Sequence, residues 1–161
     1  MKEVSFSSVF KGNFLSYVTK YKENIQNVLS KYEYAIVMAR KAICFFEAMY
    51  INGEISETDC KVFSSRVIDY NILNELRGKE VVLIDDVVVK GTSLKHVIEL
   101  LSKYEIKAYV LVVACEESFP KTIKSNSNFI MCNSYVTLEQ GDIYSFAGQI
   151  TEYIEASMYP F

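Results

Sequence analysis

Short apolar runs alternate along the chain with segments of helical periodicity. The runs are rich in β-branched and aromatic residues, which is typical of strands, and they read YEYAIVMAR, CKVFSSR, EVVLIDDVVV, IKAYVLVVAC and NFIMCNSYVTL. Near-continuous apolar stretches such as VVLI and YVLVVA predict strands covered on both faces, because a strand with one wet face alternates apolar and polar residues. The pattern therefore predicts a three-layer α/β domain around a mainly parallel central sheet.

The segment before the first apolar run has the periodicity of an amphipathic helix. Seven apolar residues recur there at helical spacing, namely Phe14, Leu15, Val18, Tyr21, Ile25, Val28 and Leu29. We predict a helix over about residues 13–31, and we interpret it as packing against an apolar surface rather than as a functional element.

Length and composition favour one domain. The chain has 161 residues, of which 50% are hydrophobic, and its mean hydropathy of +0.11 argues against a disordered chain. It has only two prolines, and no repeat or low-complexity linker divides it. We therefore expect a single domain over residues 1–161.

Charge and cysteine content limit which cellular compartment and which binding partners are expected. A net charge of −3 gives no overall basic surface, so duplex nucleic acid is not an expected partner. This charge is compatible with a small anionic ligand. The cysteines lack CxxC spacing and lie in apolar stretches, which predicts buried reduced thiols; they are Cys44, Cys60, Cys115 and Cys132. No run approaches the ~18 apolar residues of a membrane span, and the first residues lack the apolar core of a signal peptide. We expect a cytoplasmic protein without a membrane partner.

One predicted strand ends in two adjacent acidic residues. Asp85 and Asp86, the acid pair, follow the run Glu80 to Ile84. If that run is a central strand, its carboxyl end lies where ligands bind in α/β sheets, and the two carboxylates can bind hydroxyls or Mg²⁺ there. The acid pair therefore marks a candidate site.

A loop with the composition of an anion site follows the acid pair. Lys90, Gly91, Thr92 and Ser93 bring a cation, a flexible backbone point and two hydroxyls to the start of a helix predicted over about residues 93–103. Exposed N–H groups and the positive end of the helix dipole favour phosphate at such a place. An ordinary N-cap at Thr92 or Ser93 is the alternative interpretation.

The order of these features resembles the signature of type I phosphoribosyltransferases. In that family an apolar strand, two acidic residues, two apolar residues and a short Thr/Gly-rich loop precede a helix, and VVLIDDVVVKGTS reproduces this, with Lys90 where a small hydroxyl residue is usual. The resemblance implies a Rossmann-like fold in which Asp85 and Asp86, the implied catalytic pair, hold the ribose hydroxyls of phosphoribosyl pyrophosphate or of a ribose 5-phosphate nucleotide. It implies that Val89 to Ser93 wrap the 5′-phosphate. It also implies Mg²⁺, held by the acid pair through ligand or water.

The family also has a pyrophosphate-binding turn after the first sheet strand. VMARKAICFF occupies that place here, and its Arg40 and Lys41 supply positive charge, although the family often has glycine where this chain has Ala42. Arg66, at the end of the predicted second strand, is a third candidate phosphate contact. A solvated surface cation is the alternative for each of the three.

Three functional classes are compatible with this pattern. A phosphoribosyltransferase would transfer the phosphoribosyl group to a nitrogen acceptor, which the sequence does not identify. A non-catalytic ligand-binding or regulatory module is the alternative, because the short stretch Val67 to Lys79 leaves little room for a loop that closes over the site. A phosphoacceptor receiver domain is less favoured, since its acid pair normally ends the first strand.

The C-terminal third is rich in aromatic side chains. They predict core, the face of a homodimer, or a contact with a neighbouring protein. The residues are Tyr135, Tyr144, Phe146, Tyr153, Tyr159 and Phe161.

Overall fold

A computed structural model gives the structure of the chain and describes residues 11–123, 129–131 and 135–158. The helices in these residues are α1 (Lys11–Lys31), α2 (Lys41–Ile51), α3 (Tyr70–Leu76), α4 (Thr92–Lys103), α5 (Phe119–Ile123) and α6 (Gln140–Met158). The strands are β1 (Tyr34–Val37), β2 (Lys61–Ser64), β3 (Glu80–Ile84), β4 (Val87–Val88), β5 (Lys107–Leu111), β6 (Ala114–Glu116), β7 (Phe129–Met131) and β8 (Val136–Leu138).

Five strands form the main sheet, in the order β2-β1-β3-β5-β7, and every neighbouring pair is parallel. β3 lies in the middle, and its residues from Val81 to Ile84 are fully buried. This confirms the predicted parallel sheet and the position of the motif strand. Since both neighbours of β3 are hydrogen-bonded to it, the acid pair emerges from the centre of the sheet.

Three strands form a second, short parallel sheet, in the order β4-β6-β8. Each of them follows a main-sheet strand along the chain, and β3 and β5 bend out of the main sheet and continue as β4 and β6. The sequence pattern predicts IKAYVLVVAC and NFIMCNSYVTL as one strand each, and this is wrong. The bend keeps its pairing, because Asp85 N–H donates to Leu111 O (3.0 Å) and Val113 N–H donates to Asp86 O (2.9 Å).

Helices cover both faces of the main sheet. Phe45 of α2 stacks on Tyr21 of α1 and meets Tyr153 of α6 edge-on, each at a ring-centroid distance of 5.5 Å, which places these three helices together. The chain moves in one direction through α2 and in the other through α3 and α4, so right-handed crossovers place α3 and α4 on the opposite face. The fold is therefore the predicted three-layer α/β domain.

The apolar stripe of α1 packs as predicted, and the helix begins two residues before the expected start. Its buried residues are Phe14, Val18, Tyr21, Ile25 and Leu29, whereas Leu15 is 45% exposed. The aromatic C-terminal third is divided. Phe146 and Tyr153 are in the core and Tyr144 is exposed, while Tyr159 and Phe161 lie outside the described residues.

The cysteines are free thiols where the structure describes them. Cys115 is buried, as expected, but Cys44 and Cys60 are only half-buried, and Cys132 lies outside the described residues. In the described parts of the chain, no helix has the length and apolar content needed to cross a membrane.

Gly91→Ala is expected to destabilise the fold more than Gly53→Ala. Both glycines have positive φ, +73° and +71°, but a Cβ on Gly91 would lie 2.3 Å from Phe119 Cε2, whereas a Cβ on Gly53 meets no atom within 4 Å. The left-handed backbone costs each variant about 1–2 kcal/mol. Crowding of the buried Phe119 ring adds about 1–3 kcal/mol in Gly91→Ala alone. Thermal unfolding of both variants measures the difference, and equal losses of stability would contradict the contact.

Candidate functional site

Three turns meet where the main sheet reverses its strand order. The chain leaves β1 for β2 and then returns past β1 to β3, and ligands in such sheets bind in the crevice at this point. Met38 N–H donates to Ile84 O (2.8 Å), which holds the turn after β1 beside the end of β3. Ala39 N–H donates to Ser65 Oγ (2.8 Å), which brings the turn after β2 to the same place. The peptide bond between Ala39 and Arg40 is cis.

The acid pair lies at the centre of this arrangement. Asp85 is half-buried, and its Oδ1 accepts a hydrogen bond from Asp86 N–H (2.9 Å). Asp86 is only 4% exposed, and its Oδ2 is buried without a hydrogen bond to any described residue. Because a buried polar atom without a partner is costly, this oxygen is suited to accept a donor that arrives with a ligand.

Burial and like charge shape the electrostatics of the pair. Burial raises the pKa of Asp85 well above its usual value, and the neighbouring Asp86 charge raises it further. Tyr21 donates its hydroxyl to Asp85 O (2.7 Å), and burial, with the two aspartate charges, raises the pKa of that phenol. A positive ligand group or metal would relieve the repulsion between the two carboxylates.

The three predicted phosphate-binding cations differ in their surroundings. Arg40 is exposed at the N-cap of α2, and Arg66 is exposed in a 3-10 turn at residues 65–67, beside Ser65. Lys41 is half-buried, and its Nζ donates to Ala147 O of α6 (2.6 Å). Burial lowers the pKa of Lys41, and the Asp86 charge opposes that shift. The ammonium of Lys41 is thus engaged inside the fold, and a role as a phosphate contact stays a prediction.

The predicted phosphate loop connects β4 to the first turn of α4, and we call it the anion loop. Its residues are Val89, Lys90, Gly91, Thr92 and Ser93, of which Val89 and Gly91 are half-buried and the others exposed. Gly91 is the N-cap of α4 and has left-handed backbone, and the first helical hydrogen bond runs from Lys95 N–H to Gly91 O (2.8 Å). Among the described residues, none accepts a hydrogen bond from the backbone N–H groups of residues 90–93. These N–H groups and the dipole of a 12-residue helix favour an anion.

Sequence reasoning missed Tyr21 as a site residue. The periodicity of α1 identifies Tyr21 as a packing residue, and it is 1% exposed and stacked on Phe45 as that predicts. Its hydroxyl nevertheless reaches the backbone of Asp85, 64 residues away in sequence. No local sequence signal could indicate this contact, because it depends on how α1 crosses the sheet.

Asp85→Asn is expected to stabilise the protein more at pH 7 than at pH 4. The raised pKa means that folded Asp85 holds a proton to higher pH than the unfolded chain does, so its contribution to stability is present at low pH and is lost as the pH rises through the raised pKa. Asparagine does not ionise, so the variant does not lose this stability as the pH rises. Thermal unfolding of parent and variant across that pH range measures it, with the exposed Asp59→Asn as control. A difference in Tm that does not change with pH would contradict the assigned burial of Asp85.

The part of the chain that matches a known family contains this site. A family model described as the phosphoribosyl transferase domain matches residues 37–140, nearly two thirds of the chain, and this range contains the acid pair, the anion loop and all three candidate cations. A search of curated proteins found no match.

Several solved structures are similar to the chain at low sequence identity. The chain is similar to HGPRT-ase from Leishmania tarentolae in complex with GMP, at 12% identity over 85% of this chain and 83% of that one, with a TM-score of 0.47. It is also similar to a hypoxanthine phosphoribosyltransferase from Staphylococcus aureus, at 15% identity over 87% of this chain and 79% of that one, with a TM-score of 0.48. A third similar structure is a hypothetical protein from Neisseria gonorrhoeae with bound ppGpp, at 14% identity over 94% of this chain and 97% of that one, with a TM-score of 0.43. Because these TM-scores lie below 0.5, the assignment rests on the family model, and by it the chain belongs to the phosphoribosyl transferase domain family, as the resemblance of its acid-pair motif to type I phosphoribosyltransferases predicts.

Proposed function

We propose that the protein binds phosphoribosyl pyrophosphate, or a ribose 5-phosphate nucleotide, at the carboxyl end of β3 and transfers the phosphoribosyl group to a nitrogen acceptor. The observation that carries this proposal is the buried Oδ2 of Asp86, which has no hydrogen-bond partner among the described residues. Three residues later begins a loop whose backbone N–H groups from Lys90 to Ser93 also have no partner in the described part of the chain. A ribose phosphate has a vicinal diol to donate to the first and an anionic group to accept from the second.

Each group of the site has a distinct role in this proposal. Asp85 and Asp86 accept hydrogen bonds from the ribose hydroxyls, and the anion loop binds the 5′-phosphate, so the sugar is held at two points. The negative charge of the acid pair stabilises the positive charge that develops on the ribose ring as the bond to diphosphate breaks. Arg40 and Arg66, both exposed at the crevice, attract the diphosphate.

The acid pair also fits Mg²⁺. Two adjacent carboxylates supply the oxygen ligands that Mg²⁺ prefers, and the Oδ2 of Asp86 has no other partner among the described residues. No group of three or more His, Cys, Asp or Glu side chains suited to a metal occurs in the described part of the chain, so Mg²⁺ would share its coordination with water and ligand oxygens. When bound, the metal would neutralise charge on the diphosphate.

One observation favours a second candidate, a non-catalytic ligand-binding or regulatory module. The stretch between the β2 turn and β3 is occupied by α3, whose Leu73 and Leu76 are buried, so it holds no long loop that could close over the diphosphate. Closure excludes water and completes many active sites. A site without it can bind the same ligand and transfer nothing.

The remaining features of the protein are included in the proposal. One hydrophobic core joins α1, both sheets and α6, which supports a single phosphoribosyltransferase-like domain over residues 1–161. Free cysteines support a reducing compartment such as the cytoplasm. In the described part of the C-terminal third, Tyr144 on α6 is the exposed aromatic residue, and it is available to contact a second copy or a neighbouring protein.

Replacing both Asp85 and Asp86 with Asn is expected to remove ligand binding and keep the fold. The change preserves size and removes the charges that repel each other, so thermal stability should stay the same or rise. Each lost hydroxyl contact to a charged acceptor is worth about 1.5–3 kcal/mol, so affinity for phosphoribosyl pyrophosphate should fall by about a hundredfold or more. Calorimetric titration with Mg²⁺ measures this, with Asp59→Asn as control. A variant that unfolds easily, or that binds like the parent, would show that the pair is structural.

Release of pyrophosphate distinguishes a transferase from a non-catalytic binding module. Parent protein with phosphoribosyl pyrophosphate and Mg²⁺ should release pyrophosphate when supplied with one or more members of a nucleobase panel, and the double Asn variant should not. Tight binding of phosphoribosyl pyrophosphate without release for any base would favour the module. Failure of the parent to bind either phosphoribosyl pyrophosphate or a ribose 5-phosphate nucleotide would refute both.

A further inference from the structure

The amino ends of the main-sheet strands carry a group of paired cations and tyrosines. Every cation–π pair within the described residues lies at this edge, just before β1, β3 or β5 or at the start of one of these strands. The pairs and their distances from nitrogen or guanidinium carbon to ring centroid are Lys31–Tyr32 (6.0 Å), Arg77–Tyr104 (4.8 Å), Lys79–Tyr34 (4.9 Å) and Lys107–Tyr109 (5.5 Å). The acid pair lies at the opposite edge of the same sheet, so this group is separate from the site described above.

Part of this group lines a surface pocket of about 510 Å³, which we call the amino-edge pocket. Its lining residues are Lys31, Tyr32, Glu33, Lys79, Glu80 and Tyr109. The two tyrosines are half-buried and the four charged residues are exposed. A volume of this size is within the range of small-molecule sites and is large enough for a mononucleotide.

Contacts within the pocket fix its side chains before a ligand arrives. The rings of Tyr32 and Tyr109 have centroids 5.3 Å apart at an angle of 49°. Tyr109 donates its hydroxyl to Glu80 Oε1 (3.3 Å), and Lys79 Nζ donates to the hydroxyl of Tyr34 (3.2 Å). That hydrogen bond raises the pKa of Lys79, so its ammonium stays charged at neutral pH. These contacts orient Tyr109 and Lys79 in the absence of a ligand.

The combination of groups selects among ligand classes. Phosphate alone would make no use of the rings and would leave the carboxylates of Glu33 and Glu80 without a donor. A neutral base would leave the ammonium groups of Lys31 and Lys79 without an anion. A nucleotide uses all three kinds of group, because its base stacks on tyrosine, its phosphate pairs with lysine, and an amino group on the base donates to a carboxylate.

We propose that the amino-edge pocket binds a nucleotide whose base carries an exocyclic amino group, either as a free mononucleotide or as a unit of a single-stranded RNA. This site is additional to the phosphoribosyl pyrophosphate site and does not depend on the function proposed for it. The two ligand sources share the same chemistry, and an oligonucleotide distinguishes them.

The test is a calorimetric titration with adenosine monophosphate in the Asp85→Asn, Asp86→Asn variant, which keeps the nucleotide out of the acid-pair site. One nucleotide should bind per chain. Adding Lys79→Glu should weaken this binding by about tenfold or more, since a cation is replaced by a repelling charge. The matched control is Lys20→Glu, an exposed lysine on α1 with the same charge change, which should leave the affinity unchanged. The same titration of parent protein saturated with phosphoribosyl pyrophosphate and Mg²⁺ repeats the measurement with the acid pair intact.

Ligand variation tests the three kinds of group separately. Ribose 5-phosphate, adenine, and inosine monophosphate, which lacks the amino group, should each bind at least about tenfold more weakly than adenosine monophosphate. A short oligoadenylate that binds more tightly, with strong salt dependence, identifies single-stranded RNA as the source, and equal affinity identifies the free nucleotide. Absence of adenosine monophosphate binding at millimolar concentration, unchanged affinity after Lys79→Glu, or ribose 5-phosphate binding as tight as the nucleotide would overturn the proposal. Binding of phosphoribosyl pyrophosphate by the parent is unaffected by any of these results, so the two proposals fail independently.

Discussion

The strand pairing of β3 determines where the acid pair lies in the fold. β3 is hydrogen-bonded to β1 on one side and β5 on the other, and it is covered on both faces, so the chain leaves it in the interior. Asp85 and Asp86 occupy that exit. Their backbone groups stay paired through the bend into the short sheet, which limits the cost of burial to the two side chains. Among the described residues, the Oδ2 of Asp86 has no hydrogen-bond partner.

The helices on one face of the sheet complete this environment. Tyr21 of α1 donates to the backbone of Asp85, and Lys41 of α2 binds Ala147 of α6 while it remains within electrostatic range of Asp86. These contacts hold three helices around two carboxylates and reduce their access to water. In such surroundings an interaction between a carboxylate and a hydroxyl or a metal is stronger than it would be in water.

The sheet separates the acid pair from the four cation–tyrosine pairs. The carboxyl end has the acid pair at its centre, whereas the amino end has Lys31, Arg77, Lys79 and Lys107, each beside a tyrosine ring. A net charge of −3 for the whole chain does not reveal this separation. Overall composition argues against an extended basic surface for duplex nucleic acid, but it gives no information about a local pocket.

The sequence by itself determined the first helix, the buried strands of the main sheet and the position of the acid pair along the chain. Local periodicity identified α1, the apolar runs identified the buried parallel strands, and the order of residues from Val81 to Ser93 identified a strand, an acid pair, a loop and a helix, because each of these signals involves residues close together in the chain. Only the tertiary structure decided the rest. The short sheet, the hydrogen bond from Tyr21 to Asp85, the engagement of Lys41 by Ala147 and the pocket between Tyr32 and Tyr109 all join segments far apart in sequence. Such contacts depend on strand order and helix crossing, which no local pattern of residues specifies.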